Sequence, residues 1–444
     1  MKMHVSLKYA PTKEKRETAM TVDYEKKVEL YGEYDVVVIG GGTAGASAAI
    51  EAARNGANTL LVEASGMLGG MATNALVGPF MTCYDRDGNE KIVSGLFDEI
   101  VERTVAKGGA IRPQETDSPS VYTSHIAKYH RHVTPFDSFA LELALDELAA
   151  EAGVHVLLYT RFVDSICRDG KIDTLILAAL EGLIAVKGKV IIDCSGNADV
   201  AAVSGVETWK GTEDGEAAQP GTLFFEVDNA DDERYTARAE GPVKAYMLPE
   251  GGAYKVNHYR VFGVDAANSD SMTKAHTEGR RQVVDALNVL HRTPGFENAR
   301  LSQVAPVFGV RESRHIKGQY MLTVQDLAEG KVFEDGVLCF GYGMDVHPRN
   351  SSMHGNWKVE VAPVYTIPYR CMVPVGCDNL LVSGKNICAQ SQAAGSARVM
   401  PACMGLGQAA GAAAALAAEK GCSPAEVDAS ELRDLLKKHG ATLK

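Results

Sequence analysis

The chain has 444 residues, of which 45 are Lys or Arg and 57 are Asp or Glu, so its net charge is −12 at pH 7. This acidic balance argues against nucleic-acid binding by the chain as a whole, but it leaves room for a local basic pocket that binds an anionic substrate. The length is sufficient for a large core and predicts two domains.

The N-terminal segment, residues 1–32, is polar and is predicted to form an arm. It contains no apolar run of the signal-peptide kind, so we expect neither a signal peptide nor a membrane anchor. The nine cysteines include no C-x-x-C pair, which is typical of reduced thiols in a cytoplasmic protein. Cys371 and Cys377 could form a redox dithiol or bind a cluster, but two unrelated thiols fit their spacing better, and no metal site is predicted.

The most informative segment is a glycine-rich run that follows the apolar residues 35–39. Its glycines Gly40, Gly42 and Gly45 have the spacing G-x-G-x-x-G, which is typical of a strand that turns into a helix at a dinucleotide pyrophosphate. Gly40 would allow the turn, Gly42 a close approach of the backbone to the phosphates, and Gly45 close packing of the helix on the strand. The start of the helix offers free N–H groups and the positive end of its dipole.

The residues after the glycines complete a βαβ unit. Small residues predict a helix at 46–53, and the apolar segment 59–62 predicts a second strand, which ends at Glu63. A carboxylate at this position can accept hydrogen bonds from a ribose, and it would repel a ribose 2′-phosphate. The alternative is a surface acid at the end of a strand in an unrelated α/β unit.

Further elements are predicted up to about residue 200. The loop 66–74 is rich in glycine and is expected to be covered and to pass close to a ligand. The run His130-Arg131-His132 is expected to be a solvated turn. The remaining predicted elements are helices at 94–107 and 136–153, strands at 154–159, 162–166 and 190–193, a hairpin turn at 168–171 and a small-residue turn at 194–199.

The composition changes between about 205 and 345, where Tyr, Arg, His and Asp become more frequent. This change predicts an inserted, substrate-facing domain with a strand at 222–227 and a helix at 272–290. After this region, a strand at 379–384 and a helix of small residues at 402–419 are predicted, which resemble the glycine-rich strand and small-residue helix of the N-terminal part. That helix contains G-x-x-x-G, a pattern of membrane helices, but its alanines carry too little hydrophobicity, and we predict no membrane insertion.

Several of these segments together resemble the FAD-dependent oxidoreductase family of the glutathione-reductase-type flavoprotein fold. The resemblance implies an α/β fold class: a glutathione-reductase-type FAD-binding Rossmann-like domain with an inserted α+β substrate domain. The segments that carry it are 40–45, Glu63, 68–73, 193–199, 379–384 and 398–411, and in the middle region 311–314 and 345–347. The predicted divisions are an N-terminal arm (1–32), the first part of the FAD-binding domain (33–204), the substrate domain (205–345) and the second part of the FAD-binding domain (346–444).

The resemblance also implies FAD as the cofactor and a set of residues that bind it. Glu63 would hold the adenosine ribose, Phe162 would offer backbone contacts to the adenine, and 69–73 and 398–404 would flank the isoalloxazine. Ser195 stands where related flavoproteins often have Thr, and it keeps the hydroxyl. The full predicted set is Gly40, Gly42, Thr43, Ala44, Gly45, Glu63, Ala64, Gly69, Gly70, Met71, Thr73, Phe162, Ser195, Gly196, Gly384, Arg398, Val399, Met400 and Met404.

Two motifs of related enzymes are missing from the sequence. No second G-x-G-x-x-G follows a strand, and no C-x-x-x-x-C dithiol lies near the first glycine loop. We therefore expect neither a nicotinamide-binding domain nor a disulfide reductase. A bound flavin would exchange a hydride directly with a substrate, and a second acceptor or donor would reset it.

Candidate catalytic residues lie in the middle region. Asp345 and His347 would share one face of a strand, so the carboxylate could orient the imidazole as a base or acid; a structural Asp–His pair is the alternative. Arg311 and Arg314, one helical turn apart, could clamp a carboxylate or phosphate, unless Glu312 neutralises one of them. Further candidates with a cationic or titratable side chain are His258, Arg260, Arg280, Arg281, His315 and His354.

The predicted function is an FAD-dependent oxidoreductase that transfers a hydride between flavin N5 and a small polar metabolite, such as a hydroxy, amino or unsaturated acid or a sugar-like compound. The alternative is a non-catalytic flavin- or nucleotide-binding scaffold or regulatory protein. The expected partners are a small-molecule substrate and an unidentified electron acceptor or donor, with no nucleic acid and no membrane, in a cytoplasmic protein. Homo-oligomerisation, the direction of the reaction and covalent attachment of FAD are left open.

Overall fold

A computed structural model describes residues 22–116, 131–234, 244–350 and 359–444. Within these ranges the helices are α1 (Thr43–Arg54), α2 (Leu96–Ala106), α3 (Ser138–Ala152), α4 (Asp199–Val203), α5 (Ser269–Leu290), α6 (Val324–Glu329), α7 (Ser391–Ala397), α8 (Met400–Lys420) and α9 (Ala429–Lys438). The strands are β1 (Glu29–Ile39), β2 (Thr59–Val62), β3 (His155–Leu157), β4 (Arg161–Arg168), β5 (Lys171–Ala179), β6 (Gly182–Asp193), β7 (Thr208–Lys210), β8 (Phe225–Asp228), β9 (Ala245–Met247), β10 (Tyr254–Val256), β11 (Arg300–Val304), β12 (Arg314–Ile316), β13 (Gly336–Phe340), β14 (Tyr365–Pro368) and β15 (Leu380–Val382). Short 3-10 helices span Pro113–Thr116, Tyr369–Cys371 and Pro424–Glu426.

The largest sheet has the strand order β3-β2-β1-β6-β5-β4, and β15 pairs with the C-terminal half of β6. The strands β1, β2, β3, β6 and β15 run parallel, whereas β4 and β5 form an antiparallel hairpin beside β6. Val36 and Val38 of β1 belong to one apolar cluster and Val37 to the cluster on the opposite face. Residues 36–39 of β1 are apolar without alternation because both faces of the sheet are covered by the protein core.

The first βαβ unit agrees with the sequence prediction in its helix and second strand. The helix α1 ends at Arg54 with Asn55 as its C-cap, and β2 has the predicted bounds. The strand β1 is longer than predicted, because it begins at Glu29, inside the predicted arm, where residues 29–34 pair with β6. The hairpin between β4 and β5 is also confirmed, with positive φ angles of 49° at Asp169 and 77° at Gly170.

The small residues of α8 allow it to pack very closely on α1. A Cβ added to Gly407 would lie 2.2 Å from the carbonyl oxygen of Ala44, and one added to Gly411 would lie 2.2 Å from that of Ala48. Both glycines of the pattern therefore face the backbone of α1. The G-x-x-x-G pattern is thus used within the core. Among the described residues, α8 has the length and mean hydropathy (1.2) of a membrane span, and 94% of its most apolar window is buried inside the protein.

The middle region forms a second, antiparallel sheet with the strand order β11-β8-β10-β9. The helix α5 packs on it, and side chains from both, such as Phe225, Tyr254 and Leu287, form a separate apolar cluster. The predicted strand at 222–227 corresponds to β8, and the predicted helix at 272–290 to α5. The strand β13 lies before the predicted boundary at 345 and pairs with β14 behind it. The domain boundaries themselves stay predictions.

The prediction of a solvated turn at 130–132 is wrong for His132; His130 lies outside the described residues. The His132 side chain is buried, and its ring stacks on Tyr84. Its Nδ1 lies 2.9 Å from the carbonyl oxygen of Pro113, and its Nε2 lies 3.1 Å from that of Gly88. Backbone carbonyls therefore replace the water that the prediction assumed. The nine cysteines are free thiols, as predicted.

Candidate active site

A cavity of about 640 Å³ opens at the carboxyl ends of the parallel strands. Its walls include Ile39 at the end of β1, Val62 at the end of β2, Cys194 after β6 and Ser383 after β15. In open parallel sheets, this edge is where ligands bind. The volume lies within the range of roughly 300–1,000 Å³ that is typical of ligand pockets.

The glycine turn after β1 forms one wall of the cavity. Gly40 has a φ of 102°, and a Cβ on Gly45 would lie 1.7 Å from the carbonyl oxygen of Gly40, so neither position accepts a side chain. A Cβ on Gly42, by contrast, would meet only Gly70 Cα at 3.9 Å. The helix α1 has no side-chain cap and no acidic residue in its first turn. Its N–H groups and positive dipole end are thus left for an anion in the cavity.

Glu63 fixes the geometry of this wall. Its Oε2 accepts a hydrogen bond from the backbone N–H of Gly41 (2.7 Å), and its Oε1 accepts from the N–H and hydroxyl of Ser65 (both 2.7 Å). The carboxylate also lines the cavity. Since a carboxylate has about four acceptor positions, it keeps capacity for a hydroxyl group of a ligand.

The loop 66–74 is held against the glycine turn. The N–H of Gly69 donates to the carbonyl oxygen of Gly41 (2.8 Å), and the hydroxyl of Thr73 donates to that of Leu68 (2.6 Å). Leu68 is fully buried, as expected for a covered loop. Gly70 and Met71 face the cavity, whereas Gly69 and Thr73 shape the loop from behind.

The turn after β6 is organised by the buried carboxylate of Asp193. One of its oxygens accepts from the N–H of Ser195 and the other from the N–H of Ala201, both at 3.0 Å. Burial raises the pKa of Asp193, although these hydrogen bonds oppose the rise. These two hydrogen bonds hold the turn so that Ser195 and Gly196 lie in the wall of the cavity.

The C-terminal part contributes the residues after β15 and the start of α8. Gly384, with a φ of 93°, is followed by Lys385, whose Nζ donates to the carbonyl oxygen of Gly196. Burial lowers the pKa of Lys385 to about 8. Lys385 is not among the predicted site residues, although its place directly after a strand-ending glycine is a usable signal. The helix α8 starts without a side-chain cap, and Val399 and Met400 line the cavity.

The structure thus brings together most of the predicted FAD-binding residues around one cavity. Those that do not line it are Gly45, Gly69, Thr73 and Met404. Those that line it are Gly40, Gly42, Thr43, Ala44, Glu63, Ala64, Gly70, Met71, Phe162, Ser195, Gly196, Gly384, Arg398, Val399 and Met400. The open side of the glycine turn and two uncapped helix N-termini fit a dinucleotide with a pyrophosphate. The contacts of the predicted residues with FAD stay predictions.

Asp345 and His347 lie in the same cavity and form a pair, with His347 Nε2 3.3 Å from Asp345 Oδ1. The prediction that they share a strand is wrong, because residues 341–348 form a loop without strand pairing, in which the N–H of Val346 donates to the carbonyl oxygen of Met344 (3.0 Å). Burial, together with the charge of Arg311, lowers the pKa of His347 to about 4. Although burial opposes it, the hydrogen bond from His347 and the charges of Arg398 and Arg311 hold the pKa of Asp345 well below its usual range.

Arg311 and Arg314 do not form the predicted clamp, because residues 311–313 are not helical and β12 begins at Arg314. Arg311 lines the cavity, whereas Arg314 donates to Asp199 Oδ1 at 2.9 Å and to the carbonyl oxygen of Asn197 at 3.0 Å.

The alternative prediction for Glu312 is also wrong in its partner. Glu312 pairs with Arg349 at 3.1 Å and lies 3.5 Å from His315, and it bonds to neither of the two predicted arginines. The hydrogen bond and charge of His315 lower the pKa of Glu312 to about 2, against the effect of burial. This acid belongs to a buried ion-pair network behind the cavity wall.

The other candidates of the middle region are separated by the fold. Arg260 lines the cavity, whereas Arg281 is exposed on α5 and pairs with Glu278 and Asp285; His354 lies outside the described residues. His258, Arg280 and His315 are not part of the cavity wall. The sequence analysis did not find four polar residues that do line it, namely Lys244, Tyr246, Asn257 and Tyr342. They come from separate segments without a shared spacing, so no local signal marked them.

Comparison with known proteins gives a family and several distant relatives. The sequence model of the family described as FAD dependent oxidoreductase matches residues 35–436. A digeranylgeranylglycerophospholipid reductase of Methanocaldococcus jannaschii is 29% identical over 183 residues, which cover 41% of this chain and 43% of the reductase. The reductase of the same name from Methanococcus aeolicus is 23% identical over 188 residues, with the same two shares. The chain therefore matches less than half the length of these curated relatives.

Two solved structures cover a larger part of the chain at low identity. A geranylgeranyl bacteriochlorophyll reductase-like protein from Thermoplasma acidophilum has 15% identity and a TM-score of 0.45, over 92% of this chain and 82% of that one. The myxobacterial chondrochloren halogenase has 13% identity and a TM-score of 0.48, over 92% of this chain and 79% of that one.

Proposed function

Because the chain belongs to the FAD dependent oxidoreductase family, whose model spans residues 35–436, we propose that it exchanges a hydride between FAD and a small polar metabolite that binds beside Asp345 and His347. The family confirms the predicted cofactor and the prediction of an enzyme. The substrate class, a hydroxy, amino or unsaturated acid or a sugar-like compound, is the proposal.

The residues that would hold FAD follow the cavity from the glycine turn to α8. The N–H groups at the start of α1 would bind the pyrophosphate, Glu63 the ribose, and Phe162 the adenine, with the start of α8 at the flavin. Bound there, FAD supplies a hydride acceptor or donor. The order of the parallel strands and the antiparallel β4–β5 hairpin beside β6 support the finer assignment to the glutathione-reductase type.

The observation that carries the proposal is the Asp345–His347 pair inside the cavity that would hold the cofactor. With a pKa of about 4, the imidazole of His347 is neutral at physiological pH and has a free position to accept a proton. Asp345 is ionised and lies close enough to orient the ring. The neutral imidazole, oriented by Asp345, is therefore available to take a proton from a hydroxyl or amine while the neighbouring carbon loses a hydride, although its low pKa makes it a weak base.

A second candidate function comes from the curated relatives, whose names describe reductases of an isoprenoid lipid. The 29% identity with one of them favours it. The wall formed by Lys244, Arg260 and Arg311 in the same cavity suits the carboxylate of a small acid as well as the phosphate of such a lipid, so the two candidates differ in the carbon skeleton that binds there. The other alternative, a scaffold without turnover, is disfavoured by membership of a family of oxidoreductases.

Anaerobic mixing of the FAD-loaded protein with a panel of compounds tests the proposal. The panel contains hydroxy acids, amino acids, unsaturated acids, sugars and a geranylgeranyl lipid, and the visible absorbance of the flavin is the readout, starting from oxidised and from chemically reduced protein. We expect a hydroxy or amino acid to bleach the oxidised flavin. A change with the lipid alone would establish the second candidate, and a yellow protein that no compound changes would support the scaffold.

A further inference from the structure

Three cationic side chains from distant segments meet in one part of the cavity. Lys244 precedes β9, Arg260 follows β10, and Arg311 precedes β12, and all three line the cavity together with Asp345 and His347. Arg311 is buried, and the other two are partly buried. Cations in such a position need compensation, because burial of an unpaired charge is costly.

The hydrogen-bond partners of the two guanidinium groups are neutral. Arg311 donates through Nη1 to the carbonyl oxygen of Pro220 and to Thr222 Oγ1, both at 2.9 Å. Arg260 donates through its Nη1 to the same hydroxyl at 3.1 Å and to Asn257 Oδ1 at 2.9 Å. Across residues 22–116, 131–234, 244–350 and 359–444, no carboxylate lies within 4.0 Å of either group or of Lys244 Nζ.

The carboxylate of Asp345, which also lines the cavity, is already paired with Arg398. Asp345 Oδ2 accepts from Arg398 Nη2 at 2.9 Å, and Oδ1 faces His347. In addition, Arg260 Nε is buried and has no hydrogen-bond partner. Burial and then the neighbouring charges Arg260 and Arg398 lower the pKa of Arg311, and burial followed by Arg260 lowers that of Lys244. The charge of Asp345 opposes these shifts from beyond 4.0 Å, but this one carboxylate, whose oxygens already face Arg398 and His347, is shared by all three cations. The three cations are thus only partly compensated by the protein.

We infer that Lys244, Arg260 and Arg311 form the binding site for an oxyanionic head group, a carboxylate or a phosphate, of the substrate. This inference rests on the proposed function and names the substrate class of the same site. Guanidinium groups bind these planar or tetrahedral oxyanions through two parallel hydrogen bonds, and a lysine adds a point charge. The apolar side chains of Phe224, Phe308 and Met272 also line the cavity and would contact the carbon skeleton.

Calorimetric titration of the FAD-loaded protein at constant ionic strength tests the inference. The probes are malonate, inorganic phosphate and malonamide, the last being the neutral analogue of the first. We expect malonate or phosphate to bind and malonamide not to bind, and the preferred anion identifies the head group. Equal binding of malonate and malonamide, or no binding of either anion, would overturn the inference.

The variants Arg260→Met and Lys244→Met test the assignment to these side chains. Because hydrogen bonds to charged groups contribute about 1.5–3 kcal/mol, we expect anion binding to weaken roughly ten- to hundredfold. Arg103→Met is the matched control: Arg103 pairs with Glu147 and Glu151 on the surface, so its loss changes the net charge equally and should leave binding unchanged. The same loss of affinity in all three variants would contradict the inference. Arg311→Met is a less direct test, because Arg311 also donates a hydrogen bond to the carbonyl oxygen of Pro220 and its loss would disturb the fold there.

The failure of the inference and the failure of the proposed function give different results. If the protein binds malonate or phosphate but no small acid changes the absorbance of its flavin, the proposed function is wrong and the anion-binding site stands. If neutral metabolites bleach the flavin but the protein binds neither malonate nor phosphate, the proposed function stands and the anion-binding site is wrong.

Discussion

The two ends of the cavity are built in different ways. At the end predicted to hold the pyrophosphate, the wall is largely backbone: the glycine turn after β1, the turn after β6 and the uncapped start of α1. At the other end the wall consists of side chains, among them Lys244, Arg260, Arg311 and His347. We expect the N–H groups of the first end to bind the pyrophosphate of FAD, a cofactor common to many proteins, and the charges of the second end to select the substrate.

This difference explains how the two ends respond to substitution. A backbone wall depends on the absence of side chains, so that adding a methyl group is the sharpest change. A side-chain wall depends on particular functional groups, so that it is changed by removing them. The variants below use this contrast, and they begin with the largest expected effect.

Replacement of His347 by Gln should remove the proton acceptor and leave the cofactor end intact. General-base catalysis contributes typically about 10²–10⁴-fold, so we expect flavin reduction by the substrate to slow by that factor while FAD stays bound. Stopped-flow absorbance measures the first quantity and the FAD-to-protein ratio the second. Reduction at the wild-type rate would remove His347 from the mechanism, and loss of FAD would show that the two ends are not separable.

Two alanine substitutions in the same glycine turn should have opposite consequences. In Gly45→Ala the new Cβ would lie 1.7 Å from Gly40 O, so we expect the protein to lose about 3 kcal/mol or more of stability. In Gly42→Ala, where φ is −64° and the nearest atom is 3.9 Å away, stability should change by less than about 0.5 kcal/mol, but FAD should bind about tenfold more weakly or worse. Urea unfolding of the apoprotein and titration with FAD measure the two effects. A Gly42→Ala protein with normal FAD affinity would place the cofactor elsewhere.

Replacement of Glu63 by Gln tests a side chain at the otherwise backbone-built end. Because hydrogen bonds to a charged group contribute about 1.5–3 kcal/mol, we expect FAD affinity to fall roughly tenfold or more. Glu99→Gln is a suitable control, since Glu99 pairs with Arg54 far from the cavity wall. Equal FAD affinities of the two variants would show that Glu63 does not contact FAD and only shapes the turn through its hydrogen bonds with Gly41 and Ser65.

The smallest effect concerns stability and pH. The pKa of His347 is about 4 in the folded protein against an ordinary value of 6.5, so between these values the unfolded chain binds a proton that the folded chain does not. Stability should therefore fall as the pH drops from about 6.5 to about 4, and His347→Gln should lose less stability than the wild type over this window. Urea unfolding at about pH 7 and about pH 5 measures both proteins, and parallel changes would contradict the depressed pKa.

The same contrast decides how much could be predicted from the sequence. Gly40, Gly42 and Gly45 were identified because a turn between adjacent elements has a fixed spacing. The helix α1 was predicted from a run of small residues and β2 from an apolar run. The proximity of Asp345 and His347 was predicted, but on a strand that does not exist, because a loop can also bring residues i and i+2 together. The Arg311–Arg314 clamp failed since the assumed helix is absent. Lys244 and Asn257 could not be predicted, because only the antiparallel sheet of the middle region brings them to Arg311.

A crystal structure of the FAD-loaded protein soaked with malonate tests the central claim most directly, because it observes both ends of the cavity at once. We expect the pyrophosphate of FAD at the N-terminus of α1 and malonate within hydrogen-bond distance of Arg260 and Arg311, in the space between them and His347. FAD bound away from the glycine turn, or malonate absent from the three cations while FAD is in place, would contradict it.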